Sequence, residues 1–261
     1  MGLLDDLKKE AEAVTAEKAR EDAQRQEALR QAHARLEPLM QKLYKYFDEL
    51  KSHLKVVNRE VTTSYRIQGI GEVGDLKQGQ YGVSTERVEK IEKFTFRCVC
   101  AKSGSYQVTQ PDTASVAAYR DYLRDNGLQA KVRDSGQGSA TFMVQAAVPV
   151  VVEFTADYKR VVVTLRMRNL KGIGVTRHTL NPDVITDKFM DELAKAIIRA
   201  PNTFDELVGD ALSQTGKIRL KKKLQAAVRQ KRIEEEQARK ESEREDSITR
   251  RFGRTLFGKK E

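Results

Sequence analysis

Residues 160–168, RVVVTLRMR, set the tightest limit on the fold. Val161, Val163, Leu165 and Met167 fall on one side of an extended chain, and Thr164, Arg166 and Arg168 on the other. A period of two with one apolar and one basic side belongs to a strand in a sheet covered on one face and wet on the other. A lone strand cannot bury such a face, so neighbours are required. "FTFRCVCA" alternates in the same way, with Phe94, Phe96, Cys98 and Cys100 together, and "SYQVTQ" follows after Lys102-Ser103-Gly104. "ATFMVQAAV" and "VVVEFT" flank Pro149, which indicates an edge position or a bulge in one long strand. "VTTSYRIQ", "LQAKVR" and "GVTRHTL" supply further strands.

Three segments in and after this region have helical signals. "PDTASVAAYRDYLRDNG" starts at Pro111-Asp112 and closes at Asn126-Gly127. "NPDVITDKFMDELAKAIIRAP" carries a stripe of Val184, Phe189, Leu193, Ala196 and Ile197, with Asn181 as its cap and Pro201 as its stop. "TFDELVGDALSQTG" reads as a short helix capped by Asn202 or Thr203. The expected fold class is α+β: a central, mostly antiparallel sheet with packed helices, flanked by long charged helices of coiled-coil type at both ends. Three parts follow: a helical segment 1–60, an α+β domain 61–215, and a basic helix and tail 216–261.

The N-terminal segment opens polar, with only alanines as nonpolar residues between Val14 and Ala28. From Leu29 the spacing tightens to a 3-4 alternation through Ala32, Leu36, Leu39, Leu43, Tyr46, Leu50, His53 and Val57, the seam of a coiled coil. The expected partner surface is Leu29, Leu36, Leu39, Leu43, Tyr46, Leu50 and Val57. The alternative is a helix packed on its own sheet. Pro38 should kink this helix or start a new one.

Charge is uneven: residues 61–180 hold 17 basic against 11 acidic side chains, and residues 216–261 hold 16 against 8. An anionic partner is implied: nucleic acid, acidic protein or anionic lipid. Lys131 and Arg133 share one strand face, Arg166 and Arg168 another, and Arg97 lies opposite the phenylalanines in a third. If those faces align they make one positive patch, whose plainer alternative is a solvated sheet face. The strand aromatics Phe94, Phe96, Phe142 and Phe154 sit on the apolar side, away from any base they would stack on. The tail adds Arg250, Arg251 and Arg254 around the apolar residues Ile248, Phe252, Leu256 and Phe257, a small basic-amphipathic element suited to anionic lipid, a partner groove or nucleic acid.

Gly69-Ile-Gly71-Glu-Val-Gly74 matches a dinucleotide fingerprint letter by letter. That loop requires a buried strand before it and a helix after it to hold the pyrophosphate. Here a half-exposed strand precedes and "DLKQGQYGVST" follows, so a turn or bulge is expected, and Gly172-Ile173-Gly174 repeats the pattern. The two cysteines are two residues apart and the three histidines, at 33, 53 and 178, are scattered, which is not a zinc pattern. No catalytic constellation emerges, and neither a cofactor nor a small-molecule substrate is implied. The N-terminus has acidic residues where a signal peptide carries basic ones, giving a cytoplasmic expectation with peripheral membrane contact open through residues 247–261. The first functional expectation is a scaffold or adaptor that self-associates or docks to proteins through its terminal helices. The second is nucleic-acid binding through the basic sheet face and tail, and the third is membrane attachment through the tail.

Overall fold

A computed structural model of the chain describes residues 3–57 and 59–210. Helix α1 (Leu3–Val57) is followed by strands β1 (Thr62–Ile67), β2 (Gly71–Thr85) and β3 (Lys93–Gln110), helix α2 (Thr113–Asn126), and strand β4 (Ala130–Gly136). Strands β5 (Ser139–Asp157), β6 (Val162–Arg168) and β7 (Val175–Leu180) complete the sheet, and helix α3 (Asp187–Ile197) follows a short 3-10 turn at Pro182–Val184. Residues 204–210 are also helical.

All seven strands form one antiparallel sheet in the order β1-β2-β3-β5-β6-β7, with β4 also paired to β5. β3 and β5 are its spine. β3 is a single long strand where the sequence reads as two shorter ones, and β5 is one long strand, one of the two readings offered by the segments flanking Pro149. β3 absorbs Lys102–Gly104 as a bulge, because Ala101 pairs with Ala147 while Ser105 pairs with Gln145. β5 runs through Pro149, which pairs with Val99 on the β3 side. The Pro149 carbonyl accepts from Asn169 Nδ2 on the other side at 2.8 Å. Its missing N–H therefore points into the gap between β4 and β6, where no strand needs a donor.

Every even-numbered residue of β5 from Ala140 to Phe154 is buried. α1 and α2 cover this one face. Phe47 of α1 lies 5.5 Å from Phe154, and Tyr119 of α2 lies edge-on to Phe142 at 4.9 Å, centroid to centroid. α2 is capped as its sequence implies, by Asp112 accepting from the Ser115 amide and by Gly127 in the left-handed region. The 181–201 segment differs from expectation. Asn181 caps only the 3-10 turn, Thr186 caps α3, and α3 ends before Arg199, which has a positive φ of 59°. The stop is thus at Arg199, ahead of Pro201.

α1 continues through Pro38 without starting a new helix. Its 55 residues span about 82 Å. Ala32, Leu36, Met40, Leu43, Phe47 and Leu54 are buried in the same core as the sheet face. Leu36 and Leu43 of the expected seam are therefore taken up inside the domain. Leu39, Tyr46 and Leu50 are half-buried at the edges of that contact, Leu29 is half-buried, and Val57 is exposed. α3 lies beside α1, with Lys42 on Asp187 at 2.6 Å, Tyr46 donating to Asp191 at 2.6 Å, and Arg35 bridging to Asp183. By contrast, residues 11–28 of α1 are exposed throughout.

Asn169 ties these layers together. It is 1% exposed and holds a φ of 57°, which asparagine tolerates better than most residues. Its Nδ2 donates to the carbonyls of Asn126 and Pro149, both at 2.8 Å, and its Oδ1 accepts from Gly174 N at 3.0 Å. Its own carbonyl accepts from Tyr65 Oη at 2.7 Å. Asn169→Ala removes the partner of three backbone groups at once, one buried and two half-buried, so a loss of roughly 3 kcal/mol is expected in urea unfolding. A loss under about 1 kcal/mol would show that water replaces the amide.

Candidate functional site

The face opposite the helices is open. Arg166 pairs across β5–β6 with Glu153 and across β6–β7 with Arg177. Arg168 pairs with Val151 and Val175, and Val151 pairs with Arg97 on β3. Odd positions of β5 face away from the core, so Arg97, Arg166, Arg168 and Arg177 form one cluster across four adjacent strands. Lys131 and Arg133 pair with Met143 and Thr141, also odd positions of β5, and stand on the same face. The centres of the two groups lie opposite residues 152 and 142, about 33 Å of strand apart.

Across the whole sheet, the register gives this face Arg66, Lys77, Lys93, Arg97, Lys131, Arg133, Arg166, Arg168 and Arg177, nine basic residues, against Glu72, Glu153 and Asp157. Two of the nine are neutralised, Lys77 by Glu60 and Lys93 by Glu153 at 3.0 Å. Arg66 has Glu72 directly opposite. Among the described residues, the remaining six form no salt bridge with an acidic group.

The backbone prepares places for two of these side chains. A Cβ at Gly82 would stand 3.2 Å from Arg97 Nε, so the absence of a side chain there lets Arg97 lie flat across β2. A Cβ at Gly127 would stand 2.8 Å from Arg168 Nη1. Arg168 thus rests against the C-terminus of α2, where the helix dipole favours a cation.

Arg177 is the member that sequence reasoning leaves out. The signal is present, since Val175, Arg177 and Thr179 alternate, but only the β6–β7 register shows that Arg177 meets Arg166. Arg250, Arg251, Arg254, Ile248, Phe252, Leu256 and Phe257 lie outside the described residues.

Other features of the domain offer less chemistry. Gly69 and Gly71, with φ of 80° and 93°, form the β1–β2 turn, and β2 starts at Gly71 where a phosphate loop would need a helix. A Cβ at Gly69 would come within 3.0 Å of Val108 and 3.7 Å of Tyr119, so this glycine also allows the turn to sit on α2. Gly172-Ile173-Gly174 lies in the β6–β7 connection, a second hairpin corner. It lines a cleft of about 410 Å³ with Leu170, His178 and Asp205. Burial lowers the His178 pKa, partly offset by Asp205, while Asp205 itself is engaged by Lys171. Among the described residues, no group of three His, Cys, Asp or Glu side chains could hold a metal ion, and no helix is long and apolar enough to cross a membrane.

Cys98 and Cys100 point into the core beside Gln78, Tyr65 and Arg199. Cys98 Sγ accepts from Gln78 Nε2 at 3.0 Å. Burial, reinforced by Cys100, pushes the Cys98 thiol up to about 12, and burial raises Cys100 as well. Both thiols should stay unreactive to Ellman's reagent at about pH 8 in the native protein and react fully once it unfolds. An unfolded thiol ionises near about 8.5. Above that pH the unfolded chain binds fewer protons than the native one, so stability should fall as pH rises toward about 12. Fast native-state labelling or flat stability across this window would contradict the burial of the pair.

Comparisons of the chain with protein-family models, with curated proteins and with solved structures return no match. The functional reading therefore rests on the geometry of the open face.

Proposed function

We propose that this chain is a nucleic-acid-binding protein whose open sheet face lies against the phosphate backbone. The observation that carries the reading is the Arg166–Arg177 pair. Like charges directly opposite each other in a sheet are unfavourable, and here Arg168 stands two residues along β6 and Arg97 two strands away on β3. The cluster holds four arginines against one acid, Glu153, whose carboxylate is engaged by Lys93, and that excess is suited to an external polyanion. Arginine also presents a planar fork that matches phosphate oxygens in pairs. Lipid fits less well, because surface binding to a bilayer requires an apolar side to insert, and the apolar residues within the cluster are the half-buried Val151 and the isolated Val175. Fluorescence anisotropy with labelled oligonucleotides over a salt series tests the reading. Affinity should fall steeply as salt rises. Absence of binding at low salt sinks the proposal.

A second reading, a scaffold or adaptor working through its terminal helices, is supported by the exposed stretch 11–28 of α1. A helix polar all round has no core of its own to join and is free to meet another chain. Because Leu36 and Leu43 are occupied in the domain, the exposed segment before Ala32 is the longest free stretch of α1 for such a contact. Deleting residues 3–28 should leave the melting temperature unchanged and convert any oligomer seen by light scattering to monomer. If the full chain is already a monomer at micromolar concentration, self-association through this helix is ruled out.

A further inference from the structure

The geometry points to a nucleotide-sized cleft on the open face that takes one unpaired base of a single-stranded nucleic acid. This inference rests on the nucleic-acid reading and adds the form of the ligand. The cleft measures about 500 Å³, within the ordinary range for small-molecule sites. Its origin is the β3 bulge. Three residues, 102–104, stand where β5 has only Ala146, so β3 lifts away from β5 in mid-sheet.

The lining has the chemistry of a base site. Met143 is 37% exposed and, with Ala147, gives an apolar floor in the middle of an otherwise basic face. A thioether is polarizable and makes favourable contact with flat aromatic rings, the role an aromatic side chain fills in other single-strand binders. Gln145 and Ser105 line the same cleft, and a side-chain amide offers both a donor and an acceptor to a base edge. Lys131 lines one side and directly faces Met143 across the β4–β5 pair. Lys102 lines the other, with its ammonium 5.9 Å above the Tyr106 ring.

The position of the cleft matters as much as its lining. It lies along β5 between the Arg166–Arg177 cluster and Arg133, so a strand laid along β5 would meet cations before and after the inserted base. A base in a duplex is stacked and paired and cannot enter without being turned out, which costs a few kcal/mol. Single strands should therefore be preferred.

The test compares a short uridine homopolymer, its thymidine counterpart and a duplex of equal length by anisotropy at fixed low salt. Either single strand is expected to bind at least roughly tenfold more tightly than the duplex. Met143→Ala, on the outer face of its strand, removes the thioether without changing charge, and should weaken single-strand binding by up to roughly tenfold while duplex binding falls far less. Arg166→Glu should weaken both. Photocrosslinking of a 4-thiouridine strand to the wild-type chain, read by peptide mass spectrometry, should mark residues 143–147 or Lys131. Equal or tighter duplex binding, or crosslinks confined to other strands, overturns the cleft and leaves the broader reading standing. Failure of all three oligonucleotides to bind overturns the broader reading itself.

Discussion

The double variant Arg166→Glu, Arg177→Glu should bind nucleic acid roughly a hundredfold more weakly than the parent at low salt, about tenfold for each guanidinium–phosphate contact removed. The plot of log affinity against log salt should also become shallower, by about 0.7 per contact for a single strand and about 0.9 for a duplex. A uniform loss with unchanged slope would mean that the arginines support the fold and do not meet phosphate. Both residues stand on the open face, Arg177 on the edge strand β7, so the buried face is left intact and the variant should fold, with the two new acids beside Glu153 costing some stability. A circular-dichroism melt is the control.

The same pair makes a second, opposite demand. Replacing Arg177 by threonine removes a like-charge repulsion across β6–β7 and keeps a residue suited to a strand. Stability at low salt should rise by about 0.2–1 kcal/mol while binding falls. The gain should shrink as salt screens the repulsion. A residue whose removal stabilises the fold and weakens binding is held there by the ligand. A residue whose removal harms both is part of the scaffold. Gln78 illustrates the second class, since its amide donates to Cys98 Sγ and to the Ile197 carbonyl inside the core.

Much of the sheet was legible because alternation is local. Phe94 to Cys100, and Val163 to Met167, show which side is buried without any knowledge of neighbours. The basic groups on β4 and β6 were legible for the same reason. Their union was not, because it depends on register: Arg97 is far in sequence from Arg168 and Arg177, and only the β3–β5–β6–β7 pairing brings them together. The cleft at Met143 was hidden for a related reason. The glycine at 104 signals a break between two strands, and the chain instead keeps one strand and bulges. The end of α3 was misjudged because Pro201 is a visible stop, whereas the left-handed turn at Arg199 leaves no mark in composition.

The α1 seam shows how neighbouring faces of one helix are confused. The expected seam steps from Leu36 through Leu39, Leu43, Tyr46 and Leu50, and the buried set steps from Leu36 through Met40, Leu43, Phe47 and Leu54. Both keep spacings of three, four or seven residues, so spacing alone does not separate them. At about 100° per residue, Leu39 and Tyr46 stand to one side of the buried stripe, and they are left at the margin with Leu50. Phe47 decides between the two faces. It is wholly buried, with ring centroids 5.8 Å from Phe96, 6.1 Å from Phe94 and 5.5 Å from Phe154. Phe47→Ala opens a cavity where helix and sheet meet and should cost about 3–5 kcal/mol in urea unfolding. Against a usual domain stability of about 5–15 kcal/mol, that is about a fifth of the total or more. Leu39→Ala, at the rim, should cost clearly less, and neither value should depend on protein concentration. If Leu39 proved the costlier site and its effect grew on dilution, α1 would be held by a second chain along the 3.5-residue seam, and the packing of Phe47 on the sheet would not be what secures it.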